Sequence, residues 1–405
     1  MVDYLIIGGG IIGLNIARAL KAKEPEAKIT LIEKEPEVAQ HSSGRNSGVL
    51  HAGFYYTANS LKAKFTKEGN ARLKAFCKER GLKINPCAKV VVAQNSQELE
   101  GLEELKRRGD INGVETSWMS EERLSEHYPL IKTYQKALFS PTTATVNPAE
   151  VTKEFKKLII EMGVNVLTNT AYVKQVDEDS IQTSQGLIRC KKVINCAGLY
   201  ADKIAQDFGF AQDFVIIPFK GIYLKDKTNK CGLTTNIYPV PNLANPFLGV
   251  HYTFTVNNES KIGPTAIPAF WRENYKGFDN FKIGEMVQIL YYEAKLFLTN
   301  AFGFRSLALS EVKKYCKRHL LGLAKGLTHK IELSGFDSWS TPGIRAQLLN
   351  IKTLELVQDF VVEGDSKSIH VLNAVSPAFT SSMPFSEWVV ENYIIDSSPA
   401  LLKKV

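Results

Sequence analysis

VDYLIIGGGIIGLNIARAL, residues 2–20, decides the fold of this chain. Residues 4–7 form a short apolar run typical of a buried parallel strand, and Gly8, Gly10 and Gly13 follow it in Gly-x-Gly-x-x-Gly spacing. Gly8 would make a tight turn, Gly10 would let the backbone approach a pyrophosphate, and Gly13 would let the next helix pack closely on the strand. The stretch therefore predicts a strand, a phosphate-binding turn and a helix.

A second apolar strand, KITLIEKE, follows this helix and carries Glu33, twenty residues after Gly13. A carboxylate there can accept hydrogen bonds from both hydroxyls of an adenosine ribose, while the N–H groups at the helix N-terminus attract the phosphates. A lone Gly-x-Gly-x-x-Gly is a weak signal, but a strand, glycines, a helix, a strand and an acid in this order are specific. The prediction is a dinucleotide-binding unit, and the alternative is an ordinary glycine-rich turn.

The composition is that of a globular protein with two domains. The chain has 405 residues, more than one hydrophobic core usually serves. Of these residues, 44% are hydrophobic and 23% are charged, as in globular proteins. Its six cysteines form no C-x-x-C pair, and the early glycine motif leaves no room for a secretory signal, so reduced thiols and a cytoplasmic location are expected. No apolar run reaches the roughly 18 residues of a membrane-spanning helix.

The charge favours anionic partners. The net charge of +8 suits anionic substrates or anionic lipid surfaces. The sequence contains no basic run with interleaved aromatic residues, so it does not indicate binding to nucleic acid. The seven histidines have no metal-site spacing, so no metal is expected.

The order of patterns predicts an α/β protein. Three segments alternate strands and helices and would form a discontinuous, Rossmann-like nucleotide-binding domain: 1–85, 148–214 and 340–405. Two insertions, 86–147 and 215–339, are richer in strands and would form a β-rich α+β substrate domain that includes a basic helical segment at 281–330.

A long loop at 41–53, rich in Ser, Gly and Asn, favours FAD over NAD. An NAD domain would continue directly into a further βαβ unit, whereas this loop can wrap a flavin. Its polar residues, listed below, would supply donors to the pyrophosphate and the ring carbonyls. The alternative is a disordered surface loop, although long segments without secondary structure usually have a function.

Further motifs resemble those of the D-amino-acid-oxidase-like flavoproteins: SGRNSGVLHAG, VINCAGLYAD, PFKGIYL, PFLGVH, GPTA and GIRAQ. Within that group, RNSGVLHAGFYY, SLKA, the IYPVP–PFLGVH–GPTA series and SPA are similar to the L-2-hydroxyglutarate dehydrogenase/oxidase family, over nearly the whole chain. The resemblance implies FAD, oxidation of an L-2-hydroxy acid such as L-2-hydroxyglutarate to 2-oxoglutarate by hydride transfer to flavin N5, and a quinone or oxygen as electron acceptor.

The candidate cofactor contacts are spread over six stretches of the chain. They are Gly8, Gly10, Ile12, Gly13, Glu33, Lys34, Ser43, Arg45, Asn46, Ser47, Val173, Cys196, Ala197, Gly198, Ser376, Pro377 and Ala378. A helix beginning at Ser376 or Pro377 would direct its N-terminus at the flavin and stabilise the reduced anionic ring, unless it is a plain buried C-terminal helix.

His51 is the first candidate for the catalytic base. It lies in the long loop beside Ala52 and Gly53, which leave room for substrate, and oxidising a hydroxy acid needs a group that takes the hydroxyl proton. His251, on an alternating strand of the second domain, is the rival. Either histidine could instead have a structural role.

Arg345, in GIRAQ, is the candidate clamp for the substrate carboxylate, as in related flavin oxidases, because a guanidinium binds a carboxylate bidentately. Lys220, in PFKG, would bind the distal carboxylate or lie near the flavin. The alternative for Arg345 is a surface arginine. The alternative for Lys220 is a lysine that does not contact the substrate or the flavin.

The segment 295–330 interleaves basic and apolar residues, as a helix pair lying on an anionic bilayer would. A solvated basic face over an ordinary core fits equally well, so peripheral contact with the inner membrane face stays open. Two enzymatic alternatives also stay open, an amine oxidase of the glycine/sarcosine type and a glycerol-3-phosphate dehydrogenase. A third alternative is a non-catalytic protein that binds FAD and docks on a membrane.

Overall fold

The computed structural model describes residues 1–58, 60–241, 248–329 and 331–395. Part of the PFLGVH motif, Lys330 of the basic segment and the end of the 340–405 segment lie outside the described residues.

The described chain contains both strands and helices. The strands are β1 (Val2–Ile7), β2 (Ile29–Ile32), β3 (Val49–Leu50), β4 (Ile84–Asn85), β5 (Lys89–Val92), β6 (Ser117–Ser120), β7 (Lys136–Ser140), β8 (Ala144–Val146), β9 (Asn165–Leu167), β10 (Tyr172–Asp177), β11 (Ser180–Thr183), β12 (Gly186–Asn195), β13 (Phe214–Gly221), β14 (Leu224–Asp226), β15 (Asn236–Pro239), β16 (His251–Phe254), β17 (Ser260–Gly263), β18 (Ile267–Pro268), β19 (Ser338–Trp339), β20 (Gly343–Asn350), β21 (Val361–Gly364) and β22 (Ser368–Asn373). The α-helices are α1 (Ile11–Lys23), α2 (Leu61–Glu79), α3 (Ser96–Ile111), α4 (Glu121–His127), α5 (Pro148–Glu161), α6 (Ala201–Asp207), α7 (Ile283–Thr299), α8 (Phe304–Lys313), α9 (Lys317–Lys325) and α10 (Ala378–Val389).

The N-terminal stretch forms the predicted βαβ unit. β1 pairs in parallel with β2 on one side and with β12 on the other, so its apolar residues are enclosed. The chain turns at Gly8, whose φ of +112° lies in the region that favours glycine. A Cβ atom on Gly13 would lie 2.1 Å from the carbonyl oxygen of Gly8, so only glycine lets α1 begin this close to β1.

Local signals also set the starts of two other helices. The Ser60 hydroxyl accepts a hydrogen bond from the backbone N–H of Ala63 at 3.1 Å and caps α2. The Asn147 side chain accepts one from the N–H of Glu150 at 3.4 Å, and Pro148 is the first residue of α5. Both helix starts therefore follow from capping residues in the local sequence.

The first large sheet has the order β10-β11-β12-β1-β2-β9, with β22 beside β12 and β21 beside β22. α10 packs against both α1 and α2, and α5 packs against α1. The Phe76 ring of α2 stacks on the Phe155 ring of α5 at 4.0 Å, within an apolar core that these helices share with the sheet.

A second large sheet has the order β19-β14-β17-β16-β15-β5-β7-β6, and a small sheet, β18-β13-β20, stands beside it. The strands of the first large sheet all come from the three segments of the predicted nucleotide domain. Those of the second large sheet all come from the two insertions. The two large sheets thus divide as the predicted domains do, but the small sheets cross the division, since β20 pairs with β13 and β8 pairs with β3 and β4. The domain boundaries stay a prediction.

The basic segment is helical, as predicted, and consists of α7, α8 and α9. Leu296, Phe304 and Leu320 are buried in the core, whereas Leu298 and Phe302 are 74% and 76% exposed. None of the helices in the described residues combines the length and the apolar character needed to cross a bilayer.

A buried ion pair connects α6 with the loop that precedes α7. Both side chains are fully buried, and two guanidinium nitrogens of Arg272 donate to the two carboxylate oxygens of Asp202 at 2.7 and 2.8 Å. The other contacts hold the pair in place: Arg272 also donates to the Leu199 carbonyl, and Asp202 accepts from the backbone N–H of Ile216 at 2.9 Å.

Replacing Asp202 by asparagine should lower the free energy of unfolding by about 3–5 kcal/mol, because the buried Arg272 loses its counter-charge. Urea denaturation followed by tryptophan fluorescence measures the loss. Asp179→Asn is the control, since the Asp179–Lys367 pair is about half exposed and screened by solvent, so its loss should change stability much less. Equal losses in the two variants would contradict this account.

Candidate active site

A cavity of about 1310 Å³ is lined by residues from both large sheets and from the loops that connect them. Most of the predicted site residues line it: Gly8, Gly10, Ile12, Glu33, Lys34, Ser43, Arg45, Asn46, Ser47, His51, Val173, Cys196, Ala197, Gly198, His251, Arg345, Ser376, Pro377 and Ala378. Gly13 and Lys220 also belong to the described residues, but they do not line the cavity.

The glycine turn forms a cradle in which backbone groups face the cavity. Gly10 precedes the first residue of α1, and the backbone N–H of Ile11 donates to the Ser43 hydroxyl at 2.9 Å. A Cβ atom on Gly10 would come within 3.1 Å of that hydroxyl oxygen. The open helix N-terminus and the small residues around it fit the pyrophosphate of a dinucleotide.

Glu33 is buried, and the backbone holds its carboxylate in place. One oxygen accepts from the N–H of Gly9 at 2.8 Å, and the other accepts from the N–H of Glu35 at 3.0 Å. Each carboxylate oxygen can accept more than one hydrogen bond, so both keep acceptor capacity toward the cavity. The arrangement fits a ribose diol.

The loop at 41–53 is ordered by its own polar groups. The Asn46 side-chain amide donates to the carbonyls of Ser42 and Ser43 at 3.2 and 2.9 Å. The Arg45 guanidinium lies 4.2 Å from the centre of the Tyr275 ring. The loop is therefore an ordered wall of the cavity. Some of its predicted hydrogen-bond donors, such as the Asn46 amide, bind carbonyl groups of the loop itself.

The turn after β12 meets the glycine turn directly. The backbone N–H of Cys196 donates to the Ile7 carbonyl at 2.8 Å, and a Cβ atom on Gly8 would lie 2.5 Å from the Cys196 carbonyl oxygen. Ser376 and Pro377 complete this side just before α10 begins at Ala378.

Lys220 does not line the cavity, and the parity of its strand explains why. In the β13–β20 pair, Arg345 is opposite Phe219 and Lys220 is opposite Ile344. Successive side chains of a strand face opposite sides of the sheet, so Lys220 and Arg345 face opposite sides. The Lys220 ammonium donates instead to the Asn274 side-chain oxygen at 3.2 Å.

The two candidate bases, His51 and His251, are buried side chains that line the same cavity. Burial, with a smaller contribution from the charge of Lys89, lowers the pKa of His251 to about 3, and the hydrogen bond to the Gly249 carbonyl opposes this shift. Burial also lowers the pKa of His51 well below its ordinary value, again with a contribution from Lys89. Both rings are therefore neutral near pH 7 and able to accept a proton.

The ring nitrogens of these histidines have different surroundings. Nδ1 of His251 lies 2.8 Å from the Gly249 carbonyl oxygen, so this nitrogen donates and Nε2 keeps a free lone pair. Nδ1 of His51 has no hydrogen-bond partner among the described residues. Its backbone N–H donates to the Thr380 hydroxyl at 3.1 Å, which fixes the position of the residue.

Arg345 and Lys62 are among the cations that line the cavity, and sequence reasoning singles out the first of them. Arg345 is on β20, and burial lowers its pKa to about 10, so it stays charged at neutral pH. Lys62, in the first turn of α2, is also buried, and burial together with the Arg345 charge lowers its pKa to about 7. The SLKA motif contains Lys62, but nothing local shows that its side chain enters the cavity.

Glu35, His41 and Glu273 also meet at the cavity wall, with ligand atoms within 4.8 Å of one another. Histidine spacing does not predict this group, because chain packing assembles it. The Lys34 ammonium already pairs with both carboxylates, at 2.5 and 2.7 Å. These ion pairs satisfy the acids, and no metal is assigned to them.

Comparison with known proteins gives one family. The model described as "FAD dependent oxidoreductase" (DAO) matches residues 3–391. L-2-hydroxyglutarate dehydrogenase of Escherichia coli K12 is 36% identical over 398 residues, which cover 96% of this chain and 92% of that protein. The mitochondrial L-2-hydroxyglutarate dehydrogenase of Homo sapiens is 36% identical over 414 residues, with 96% and 88% covered.

A solved structure with the same fold is the L-alpha-glycerophosphate oxidase of Mycoplasma pneumoniae with FAD bound. It has a TM-score of 0.73 and 22% identity, and 99% of this chain and 97% of that chain are covered. The predicted fold class, FAD and enzyme class are confirmed. The chain therefore belongs to the DAO family of FAD dependent oxidoreductases, within which it is similar to the L-2-hydroxyglutarate dehydrogenases of bacteria and mammals.

Proposed function

We propose that this protein oxidises L-2-hydroxyglutarate to 2-oxoglutarate. The observation that carries the proposal is one cavity that joins a dinucleotide cradle to two neutral histidines and to the cations Arg345 and Lys62. The similarity to L-2-hydroxyglutarate dehydrogenases supports the same substrate. Bound FAD would supply the acceptor for the hydride that leaves C2 of the hydroxy acid.

The substrate has two carboxylates, and each would have its own cation. Arg345 would bind the carboxylate next to C2, because a planar guanidinium holds it bidentately and orients the neighbouring carbon. Lys62 would bind the distal carboxylate, in place of Lys220. Because an anion beside Lys62 raises its pKa, binding of the dicarboxylate should keep this lysine protonated above pH 7.

The hydroxyl proton would pass to a histidine. Nε2 of His251 has a free lone pair, and Nδ1 of His51 is without a partner among the described residues, so each ring offers one acceptor atom. Sequence position favours His51, whose loop also carries cofactor candidates. Both histidines stay candidates for the base.

Glycerol 3-phosphate is the second candidate substrate, since a phosphate dianion would also suit two cations. Glycine suits the cavity less well, because its single carboxylate cannot bind both Arg345 and Lys62.

The proposal is tested by anaerobic mixing of the purified yellow protein with L-2-hydroxyglutarate, D-2-hydroxyglutarate, L-2-hydroxybutyrate, glycerol 3-phosphate and glycine. L-2-hydroxyglutarate should bleach the flavin absorbance fastest. Bleaching by glycerol 3-phosphate or glycine alone would replace the proposed substrate, and no bleaching by any compound would remove the enzymatic proposal.

In the same assay, Lys62→Met should weaken apparent binding of L-2-hydroxyglutarate by about 10- to 100-fold, the loss expected for a hydrogen bond to a charged group. Binding of L-2-hydroxybutyrate, which lacks the distal carboxylate, should change little. Lys64→Met is the matched control, because Lys64 is exposed on the same helix. Equal losses for both substrates would show that Lys62 does not read the distal carboxylate.

His51→Ala should lower the rate of flavin reduction at saturating substrate by about 100- to 10,000-fold, the usual contribution of a positioned base. In the wild type the rate should stay level from pH 8 to below the ordinary histidine pKa of about 6.5, because burial lowers the pKa of both rings. Stopped-flow measurements of His51→Ala and His251→Ala across pH decide between them. A large loss in His251→Ala with His51→Ala nearly unaffected would reverse the assignment.

We also propose that the basic helices contact an anionic membrane and that a quinone there is the electron acceptor. Apolar side chains point outward from this region at Phe278, Ile283, Val287, Tyr291, Leu298 and Phe302, with exposed fractions from 60 to 83%. Lysines and arginines of the same segment would face the lipid phosphates.

The double variant Leu298→Ser/Phe302→Ser should lose flotation with vesicles of phosphatidylcholine and phosphatidylglycerol, which the wild type should show. Val176→Ser, which changes an exposed apolar residue on β10, is the control and should float normally. Wild-type protein that stays in the soluble fraction with these vesicles would exclude the membrane contact.

A further inference from the structure

Lys89 is a fully buried lysine beside the cavity that sequence reasoning does not identify. Its ammonium has no hydrogen-bond partner among the described residues. It lies 4.1 Å from the ring centre of Tyr238, 5.0 Å from that of Tyr55 and 5.7 Å from that of Phe54. An ammonium buried without an acceptor is destabilising, even against aromatic rings, so stability alone does not account for it.

The register of the second sheet connects Lys89 to His251. Asn236 of β15 is opposite Lys89, and Tyr238, two residues on, points to the same side of the sheet. The His251 ring stacks on Tyr238, with centres 3.7 Å apart and an angle of 15° between the planes. The His251 imidazole therefore lies on one face of the Tyr238 ring, and the Lys89 ammonium lies over the other face.

Tyr238 and His251 line the cavity, whereas Lys89 lies behind Tyr238. We propose that Lys89 is a positioning residue for proton transfer: it fixes the Tyr238–His251 stack, and its charge disfavours protonation of His51 and His251. The proposal rests on the proposed oxidation, and it assigns the role whichever of the two histidines is the base.

Other titratable groups face this cluster. Tyr55 and Tyr238 pack on the ammonium, and burial raises the pKa of both phenols, so both stay neutral. The Cys87 thiol is also close and is kept neutral by burial, which raises its pKa. None of these three groups brings a counter-charge to Lys89 at neutral pH.

A second cation, Lys314, contributes to the lowered pKa of His251. It pairs with Glu311, which offsets part of its charge. Burial lowers the pKa of Lys89 itself to about 7, so its charge is greatest below neutral pH. It therefore opposes protonation of the histidines in the pH range where protonation would otherwise begin.

Lys89→Met keeps the length of the side chain and removes its charge. We expect three changes: a higher melting temperature, because a buried unpaired charge is gone; flavin reduction about 10-fold slower at saturating L-2-hydroxyglutarate; and histidine titration moved upward by about one pH unit. Lys89→Gln should move the titration in the same direction. Lys83→Met changes an exposed lysine just before β4 and should change none of these quantities.

Histidine titration is read by NMR of the FAD-loaded protein without substrate, so it does not depend on activity. A wild-type protein whose flavin no substrate bleaches would refute the proposed function, while an upward shift in Lys89→Met would still support the charge effect. Unchanged titration together with an unchanged rate would overturn the inference. A lowered melting temperature with wild-type titration would also overturn it and make Lys89 a structural residue.

Discussion

The absence of a side chain at Gly13 is the constraint on which the molecule depends. A Cβ atom there would lie 2.1 Å from the Gly8 carbonyl oxygen, and one on Gly8 would lie 2.5 Å from that of Cys196. The start of α1, the end of β1 and the end of β12 meet only because nothing occupies these points. This contact places the open helix N-terminus at the cavity, next to Glu33, and thereby sets where a dinucleotide can lie.

Sequence patterns predict the features that depend on neighbouring residues. The βαβ unit, the helix starts at Ser60 and Asn147 and the helical character of the basic segment follow from spacing and capping, which are local. Most of the cofactor candidates line the cavity for the same reason, since they belong to turns that follow strands.

The errors of the sequence prediction have a common physical cause. Lys220 is predicted as a substrate contact, but strand parity turns it away from Arg345. Lys62 and Lys89 are not predicted, because their burial depends on chain segments far away in the sequence. The grouping of Glu35 with His41 and Glu273 arises in the same way. Local patterns give the element, whereas pairing and packing decide which side chains share a space.

The buried pair of Asp202 and Arg272 has a consequence for how substrate reaches the cavity. Separating α6 from the loop before α7 would break an ion pair of fully buried charges, at a cost of several kcal/mol. With about 4 kcal/mol as a guide, a conformation opened at this seam would be populated about once in a thousand molecules. A wide hinge motion here can therefore serve each turnover only if the seam opens and closes much faster than the reaction cycle.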